Sequence, residues 1–494
     1  MSASPWNLYR AAEVRALDRA AMDVFNIPGQ TMMARAGRAA FNELRTHWPQ
    51  AQRITVMCGV GNNGGDGYVL AHCVAQAGMA VTVLQVGDAA RVQGDAQEAR
   101  RTLLESGVSI LPFAASGLHA ADVIVDALLG IGLGREVAGE WRTAIEVINA
   151  AQTPVLALDI PSGLHADTGC VWGVAVQAAS TVCFVALKQG LFTADGPDHC
   201  GNIVLHDLDL PPQLFERTRP AAVLLAPDNL VALAPRHRNT HKGDYGRVLV
   251  IGGDHGMPGA VRLAAEAAAR TGAGRVTLAT RQTHAVTLSG QRPELLCYGV
   301  AHGVELKPLL AAADVAVIGP GLGQSPWARE LFSTWLESSA LPCVVDADAL
   351  TLLATEPVTR SGWVLTPHPG EAARLLGCST TEIQADRFQA AQALQRRYGG
   401  VCVLKGAGTL VVSADGPIAV CAAGNPGMAS AGMGDVLSGV IAALLAQGLN
   451  GGDAARLGVW LHATAGDRAA AEGGMRGLLA GDLMPYLRTL VNSL

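Results

Sequence analysis

Charged side chains are scarce in this sequence, and patterns that define several large classes of protein are missing from it. Only 16% of the 494 residues are charged, the net charge is −6, and no basic block or arginine-rich tail occurs, which argues against a nucleic-acid partner. No apolar run approaches the roughly 20 residues that a membrane span needs. Residues 1–6 lack the basic-then-apolar layout of a signal peptide. We therefore expect a cytoplasmic protein that binds neither nucleic acid nor a membrane.

The cysteines lack the spacing of a metal site. Ten are scattered through the chain without a C-x-x-C pair. Several lie in apolar segments, namely Cys58, Cys183, Cys343, Cys402 and Cys421. This distribution predicts buried, reduced thiols and argues against zinc ligands or disulfides.

Glycine and apolar residues are abundant instead. Half of the residues are hydrophobic and 58 are glycine, which is typical of buried parallel strands joined by glycine-rich turns. The length exceeds that of one ordinary core, and it suggests about three domain-sized units or two large ones. Composition therefore predicts an α/β enzyme.

The first half contains a strand, a glycine-rich loop, a helix and a second strand. The predicted elements are a helical stretch at 10–47, strands at 53–58 and 80–86, a loop at 59–67 and a helix at 68–76. Such a βαβ unit is right-handed, and its first loop lies at the carboxyl end of a strand, where α/β sheets bind ligands. The loop does not match G-x-G-x-x-G cleanly, since Asn62, Asn63 and Asp66 add polar side chains.

Two later strands of the first half end in carboxylates. Asp126 ends one predicted strand, and Asp159 ends the next, which continues into Ser162. With Asn63 they offer hard oxygen donors to one crevice, and such donors suit a group 1 or group 2 cation better than a transition metal. Any one of these aspartates could simply cap a turn, so the interpretation depends on the whole set.

These motifs together resemble a known family. The loop at 61–67, Asp126 with the loop at 130–136, and the turn at 159–163 are similar to the NAD(P)H-hydrate epimerase domain, which we place at residues 1–215. The resemblance implies a Rossmann-like sheet that binds a hydrated dinucleotide along its first two loops and holds a potassium ion.

The resemblance also implies roles for individual residues. Potassium would be held by Asn63, Asp126 and Ser162. The implied substrate-binding residues are Asn62, Asn63, Gly64, Gly65, Asp66, Gly130, Ile131, Gly132, Leu133, Gly134, Arg135, Glu136 and Asp159.

Asp159 is the candidate catalytic residue of the first half. The substrate carbon carries a hydroxyl beside a ring nitrogen, so epimerisation can proceed by loss and return of that hydroxyl through an iminium-like state. A carboxylate such as Asp159 can stabilise that cation and move the proton to or from water. Lys188 lies in a strand typical of the family, but its role is open and it could be an ordinary solvated lysine.

The second half repeats the alternation of strands and helices. Strands are predicted to begin near 247, 275, 315, 342, 363 and 401, with helices that include one from 258 and one at 380–397. The pattern predicts a second doubly wound sheet.

Residues 424–435 are rich in glycine and lead into an apolar helix, which creates an anion site at the positive end of a helix dipole. Asp435 at that site favours a base that takes a proton from a hydroxyl, although a plain helix-capping carboxylate is the alternative.

The order of these motifs resembles the NAD(P)H-hydrate dehydratase domain, a ribokinase-like fold, which we place at residues 221–494. By resemblance the nucleotide, ADP with magnesium, would contact Lys405, Gly406, Ala407, Gly408, Thr409 and Gly434. The hydrated dinucleotide would contact Ala260, Gly321, Gly323, His368 and the catalytic Asp435. Lys405 could instead be a strand-end surface lysine, and Asp346 and Asp348 are interpreted as structural strand-end groups.

The two resemblances predict one bifunctional repair enzyme with two doubly wound α/β domains. The first would interconvert the R and S forms of hydrated NADH or NADPH, and the second would dehydrate the S form while ADP is hydrolysed to AMP and phosphate. Phosphate is a better leaving group than hydroxide, which explains the coupling. We expect a homo-oligomer. The alternatives are a ribokinase-like small-molecule kinase fused to a dinucleotide-binding module, and a binding protein that has lost activity.

Overall fold

The chain divides into two compact units, Met1–Val223 and Leu224–Leu494, here called unit 1 and unit 2. The computed structural model describes residues 6–113, 118, 121–338 and 340–493. Of residues 1–6, which lack the pattern of a signal peptide, only Trp6 is among the described residues. Within the described part of the chain, no helix is both long and apolar enough to cross a membrane.

Unit 1 contains ten strands and seven helices among its described residues. The strands are β1 (Asn7–Tyr9), β2 (Arg53–Cys58), β3 (Ala80–Gln85), β4 (Ile110–Pro112), β5 (Val123–Ala127), β6 (Val155–Leu158), β7 (Ser180–Phe184), β8 (Leu187–Lys188), β9 (Asn202–His206) and β10 (Ala222–Leu224). The helices are α1 (Ala11–Asp23), α2 (Gly29–His47), α3 (Asn62–Gln76), α4 (Gly94–Glu105), α5 (Gly139–Ala150), α6 (Gly196–His199) and α7 (Pro212–Phe215).

The main sheet of unit 1 is parallel and has the order β4-β3-β2-β5-β6-β7-β9. Strand order reverses between β2 and β5, which run to opposite edges, and ligands bind outside the carboxyl ends of strands at such a switch point. In register, Met57 lies opposite Asp126, and Asp126 lies opposite Ala157. The residues that follow β2, β5 and β6 are therefore brought to the same edge.

Helices cover both faces of this sheet. Alternate residues of β2 point to opposite sides, so Val56 joins the core under α1 to α4, while Met57 joins a second core under α5. Ile145 and Ile148 of α5 complete that second core. The predicted doubly wound arrangement is confirmed.

Two local predictions in unit 1 are wrong. The helical stretch predicted at 10–47 is two helices, because the chain turns through Asn26 at φ +53° and Pro28 starts α2. The loop predicted at 59–67 becomes helical from Asn62 onward. Its glycines serve close packing, since a Cβ placed on Gly64 would lie 2.2 Å from the Gly59 carbonyl oxygen.

Unit 2 contains nine strands and eleven helices among its described residues. The strands are β11 (Arg247–Ile251), β12 (Arg275–Thr280), β13 (Leu296–Gly299), β14 (Val315–Ile318), β15 (Cys343–Val345), β16 (Trp363–Leu365), β17 (Val401–Leu404), β18 (Thr409–Val412) and β19 (Ile418–Cys421). The helices are α8 (Pro258–Arg270), α9 (Gln282–Gln291), α10 (Gly303–Ala311), α11 (Pro326–Ser338), α12 (Ala347–Thr355), α13 (Pro369–Leu376), α14 (Thr380–Ala385), α15 (Arg387–Tyr398), α16 (Met433–Ala446), α17 (Gly451–Gly473) and α18 (Leu483–Leu490).

The strands of unit 2 follow the order β13-β12-β11-β14-β15-β16-β17-β18-β19. The strands from β13 to β17 are parallel, and β18 and β19 add an antiparallel edge. The second predicted sheet is thus confirmed. The helix predicted at 380–397 is two helices, because Asp386 leaves the helical conformation at φ −149° and caps α15 by accepting from Gln389 N at 2.9 Å.

None of the ten cysteines forms a disulfide bond among the described residues, and the five predicted to be buried are buried. They are Cys58, Cys183, Cys343, Cys402 and Cys421.

Candidate functional site

A cleft of about 1010 Å³ opens at the carboxyl edge of the unit 1 sheet. The predicted substrate-binding residues that line it are Asn62, Asn63, Asp66, Gly130, Ile131, Gly132, Leu133, Gly134, Arg135, Glu136 and Asp159. Gly64 and Gly65 lie behind this wall, where a Cβ on Gly65 would fall 2.6 Å from the Met33 sulfur. The switch point of the sheet therefore brings most of the set together.

Asp126 and Ser162 form a buried pair behind the cleft. One carboxylate oxygen of Asp126 accepts from the Ser162 hydroxyl at 2.6 Å and from Leu128 N at 3.1 Å, and the other accepts from Ser162 N at 2.8 Å. Burial raises the pKa of Asp126 to about 6, although these hydrogen bonds oppose the shift. The ends of β5 and β6 are thereby fixed to each other.

Asn63 has a buried side chain whose amide nitrogen and oxygen find no hydrogen-bond partner among the described residues. A Cβ placed on Gly130 would lie 3.4 Å from the Asn63 Cβ and 3.7 Å from an Asp159 carboxylate oxygen, so these three residues converge. An unsatisfied buried amide costs about 1–3 kcal/mol. The Asn63 amide is therefore a candidate ligand for a group bound in the cleft.

Asp159 and Val185 both adopt left-handed backbone conformations, with φ of +66° and +64°. Each is the centre of a tight turn, closed by Ile160 N donating to Leu158 O at 2.8 Å and by Ala186 N donating to Phe184 O at 2.7 Å. Such positive-φ turns are rare and strained, particularly at a β-branched valine, and strain of this kind collects at functional sites. Together they turn Asp159 and residues 184–188 toward each other.

Lys188 is fully buried, so the interpretation of a solvated lysine is wrong. Its ammonium group pairs with the Asp159 carboxylate and donates to Phe184 O at 2.8 Å and to Cys183 Sγ at 3.3 Å. Burial alone would lower the pKa of Lys188, but the Asp159 charge more than offsets it and the pKa lies above its usual value. Lys188 therefore provides a permanent positive charge for Asp159.

Two further charged residues of the cleft, Arg15 and Asp18, come from α1. Sequence reasoning missed them because α1 carries no motif, and its amphipathic pattern predicts only a helix packed on the core. Burial, followed by the Asp159 charge, raises the pKa of Asp18 to about 6.

Asp346 lies at the centre of a second polar cluster, in unit 2, although sequence reasoning left it outside the site. It is fully buried, and its two carboxylate oxygens accept from Lys405 Nζ at 2.8 Å and from the Ser438 hydroxyl at 2.7 Å. Burial raises the pKa of Asp346, but the Lys405 charge and these hydrogen bonds outweigh it, so the pKa lies below its usual value. Asp346 thereby fixes Lys405 beside α16.

Asp435 occupies the first turn of α16, after Gly432, whose φ is +91°. Burial raises the pKa of Asp435 to about 7, with a further contribution from the Asp346 charge and an opposing one from Lys405. A carboxyl group with a pKa near neutrality can exchange a proton efficiently at cellular pH.

Lys405 and Gly434 lie close together. A Cβ on Gly434 would fall 3.1 Å from Lys405 Nζ and 3.5 Å from an Asp346 carboxylate oxygen. Lys405 is only one-fifth exposed, so it is not a surface lysine. Burial would lower its pKa, but Asp346 and Glu371 raise it above the usual value.

The remaining predicted residues of unit 2 fall into two groups. Gly321 and Ala260 are neighbours, since a Cβ on Gly321 would lie 3.1 Å from the Ala260 Cβ, and Gly323 N donates to Asp348 at 2.8 Å. His368 caps α13, and its backbone N donates to Glu371, whose carboxylate lies 3.8 Å from Lys405 Nζ.

Arg387 is a buried residue that no motif predicted. Its guanidinium group donates to the carbonyl oxygens of Leu404, Lys405 and Gly408 at 3.3–3.4 Å. It therefore holds the loop that contains Gly406, Ala407, Gly408 and Thr409, and its only signal in the sequence is a position at a helix start.

The model of the NAD(P)H-hydrate dehydratase family matches residues 248–488, and that of the YjeF-related protein N-terminus matches residues 29–190. The chain is 52% identical to the bifunctional NAD(P)H-hydrate repair enzyme of Coxiella burnetii, over 98% of this chain and 99% of the relative. The chain belongs to the bifunctional NAD(P)H-hydrate repair enzymes. The repair enzyme of Escherichia coli is similar as well, with 43% identity over 99% of this chain and 94% of the relative.

A solved structure supports the fold of the repair enzyme's second half. A ribokinase-like superfamily protein of Enterococcus faecalis is 30% identical, with a TM-score of 0.51, and the similarity covers 55% of this chain and 95% of that one. The predicted α/β fold class is confirmed, as is the prediction of a bifunctional enzyme with an epimerase and an ADP-dependent dehydratase. The two alternatives, a fused small-molecule kinase and an inactive binding protein, are set aside because the similarity to repair enzymes spans both halves. Membership implies nucleotide- and metal-dependent activity on hydrated NAD(P)H.

Proposed function

We propose that the unit 1 cleft is the epimerase site and that the cluster around Asp346, Lys405 and Asp435 is the dehydratase site of the repair enzyme. In unit 1 the proposal rests on the buried Asn63 amide, which lies near Asp159 and has no hydrogen-bond partner among the described residues. In unit 2 it rests on Asp435, a carboxyl group with a pKa of about 7 at a glycine-rich helix start. The corresponding domains, 1–215 and 221–494, match the two compact units closely enough to be proposed as the functional halves.

In the epimerase site, Asp159 has the charge that the reaction needs. Its carboxylate pairs with the buried Lys188 and faces the cleft, where it can stabilise the positive charge that develops on the dihydronicotinamide ring when the hydroxyl departs. The loop from Gly130 to Glu136 forms one wall of the cleft, and four of its seven residues are exposed.

The side-chain oxygens of Asn63, Asp126 and Ser162 have the chemistry that the proposed potassium ion would need. The Asn63 amide oxygen has no hydrogen-bond partner among the described residues, and a carboxylate such as that of Asp126 keeps lone pairs beyond its two hydrogen bonds with Ser162. Hard oxygen donors of this kind suit an alkali cation. When bound, the ion would supply fixed positive charge at the sheet edge for an anionic dinucleotide.

Potassium should therefore stabilise the enzyme against unfolding. Replacing choline chloride by potassium chloride at equal ionic strength is expected to raise the melting temperature of unit 1, by roughly 2–4 °C for each kcal/mol of binding free energy. Asn63→Leu should remove this rise, because it deletes the amide oxygen. Asn42→Leu, at an exposed position of α2, is the matched control and should keep it. An equal rise in Asn63→Leu would contradict the ligand assignment.

In the dehydratase site, Asp435 would act as the base on the substrate hydroxyl while phosphoryl transfer converts that hydroxyl into a better leaving group. Lys405 and the amides at the start of α16 would hold the phosphates of ADP. The described residues contain no group of three or more His, Cys, Asp or Glu side chains arranged to hold a metal ion. Magnesium would accordingly be bound mainly through the nucleotide phosphates, with Asp346 and Asp348 nearby as hard oxygen donors.

Gly434→Ala should weaken nucleotide binding without unfolding the protein. The added methyl group would lie 3.1 Å from Lys405 Nζ and would displace the ammonium group from the position proposed for the phosphates, so the KM for ADP should rise about tenfold. Gly473→Ala is the matched control, because its Cβ would meet no described atom within 4 Å. Steady-state kinetics with varied ADP measures the effect, and an unchanged KM would place the nucleotide elsewhere.

The coupled assay that tests both sites uses the full chain with purified R or S hydrated NADH and a nucleotide. Return of the dihydronicotinamide absorbance from both epimers supports both sites, return from the S epimer alone would refute the epimerase site, and no return from either would refute the proposal. ADP and ATP are compared in the same assay.

The homo-oligomer and the cytoplasmic location stay predictions. Sedimentation of the purified chain tests the first, and cell fractionation tests the second.

A further inference from the structure

Helix α1 forms a wall of the epimerase cleft that none of the motifs includes. Arg15 and Asp18, one turn apart, both line the cleft. The Arg15 guanidinium donates to the Ile131 carbonyl oxygen at 3.3 Å, which links α1 to the loop that forms another wall of the cleft. The matched part of the N-terminal family begins only at residue 29, after α1 has ended.

Charged groups from several elements surround Asp18. Asp159 follows β6, Asp66 lies on α3, and the Lys188 ammonium belongs to β8. From α1 itself, Arg15 and Arg19 also act on Asp18 and favour its charged form.

The carboxyl groups of the cleft differ in their surroundings. The Lys188 ammonium pairs directly with Asp159. Burial, then the Asp159 charge, raises the pKa of Asp18 to about 6. Burial and the charges of Asp159 and Asp18 raise the pKa of Asp66 well above its usual value. Asp18 lines the same cleft as Asp159, and at this position it can gain and lose a proton near pH 6.

We propose that Asp18 is a second catalytic residue of the epimerase, the acid that protonates the departing hydroxyl and the base that takes a proton from the returning water. The inference rests on the proposal that the unit 1 cleft is the epimerase site. In this mechanism Asp159 stabilises the cation and Asp18 transfers the proton, whereas the motifs assign both roles to Asp159.

The step is balanced without any further reactant. As the carbon–oxygen bond breaks, its electron pair stays with the oxygen, which takes the Asp18 proton and leaves as water. The lone pair of the ring nitrogen forms the iminium bond, and the Asp159 carboxylate stabilises its charge. Water then adds to the other face of the carbon, and its proton passes through a further solvent molecule in the open cleft to the Asp18 carboxylate.

The test is the pH dependence of epimerisation by the full chain, followed from purified R or S hydrated NADH without nucleotide. The wild-type kcat should fall as pH rises above about 6, because the acid form of Asp18 is then lost. Asp18→Asn should lower kcat by about 100- to 10,000-fold, change KM little, and abolish this fall.

The matched control is Asp23→Asn on the same helix. Asp23 is exposed and is not among the described residues that line the cleft, so this variant should keep the wild-type rate and pH profile. Dehydration of pure S epimer with ADP, measured in the same preparations, reports whether the variant chains are intact.

The outcomes separate the inference from the proposed function. If Asp18→Asn epimerises at the wild-type rate and with the wild-type pH profile, Asp18 is not a catalytic residue. That result would not contradict the proposed epimerase site. A chain that dehydrates the S epimer but cannot epimerise overturns the proposed epimerase site itself. If Asp18→Asn does not fold, the wild-type profile decides, because a kcat that does not fall above pH 6 contradicts the inference.

Discussion

Asp435→Asn is expected to lower the rate of ADP-dependent dehydration by about 100- to 10,000-fold, which is the usual contribution of a positioned acid or base. The amide keeps the shape of the side chain but cannot take a proton from the substrate hydroxyl. Epimerisation by the same chain should be unchanged, since Asp435 belongs to unit 2.

The pH dependence of the wild-type enzyme provides an independent check. Because the carboxylate of Asp435 must be free of its proton to act, the kcat of dehydration should rise as pH increases through about 7. Asp435→Asn should lack this rise. Burial and the Asp346 charge disfavour the ionised form of Asp435 in the folded protein, so the asparagine is not expected to lower the melting temperature.

Asp453→Asn is the matched control for this variant. Asp453 lies at the third position of α17, as Asp435 does in α16, so both substitutions remove a carboxylate from the first turn of a helix. Dehydration should survive in the control. Loss of dehydration in both variants would indicate a helix-dipole effect and would contradict the assignment of Asp435 as the base.

Asp159→Asn is expected to have the second large effect, the loss of epimerisation by at least about 100-fold. The amide cannot stabilise the cation that forms when the hydroxyl departs. Dehydration of the S epimer should persist if the variant folds. The rate of interconversion of the two epimers, followed by chromatography or NMR, measures the loss.

The same substitution leaves the buried Lys188 ammonium without its counter-charge. Breaking a buried ion pair in this way typically costs about 3–5 kcal/mol, so Asp159→Asn alone could unfold unit 1. The double variant Asp159→Asn with Lys188→Met removes both charges and should regain most of the melting temperature. Recovery of epimerisation together with stability in the double variant would show that Asp159 is structural.

The residues that line the carboxyl edge of the unit 1 sheet could be predicted from the sequence. Parallel strands end at the same edge, so the residues after β2, β5 and β6 had to meet near the switch point. Asp435 could be predicted in the same way, because its glycine-rich approach and apolar helix are local features. Both predictions need only short segments of chain.

Other parts of the site depend on contacts between distant segments. Lys188 and Asp159 are 29 residues apart, Asp346 and Lys405 are 59 apart, and Arg15 reaches a carbonyl 116 residues away. A strand-end aspartate such as Asp346 is usually a turn cap, and only its burial beside Lys405 gives it another role. No local pattern contains this information.

The start of α3 illustrates a different limit. Three glycines in the segment from Asn62 to Gly67 predict a loop from propensity alone. The helix forms because these glycines allow it to approach the sheet, with a Cβ on Gly67 only 2.6 Å from the Ala127 Cβ. Tertiary packing thus overrides local propensity, and it buries the Asn63 side chain at the sheet edge.

The central claim is that one chain carries two separate repair sites, and one assay tests it most directly. The full chain, Asp435→Asn and the double variant Asp159→Asn with Lys188→Met are each given ADP and either pure R or pure S hydrated NADH, and the dihydronicotinamide absorbance is followed. We expect the wild type to restore absorbance from both epimers, the double variant from the S epimer alone, and Asp435→Asn from neither. Restoration from the R epimer at the wild-type rate by the double variant, or from either epimer by Asp435→Asn, would contradict the account.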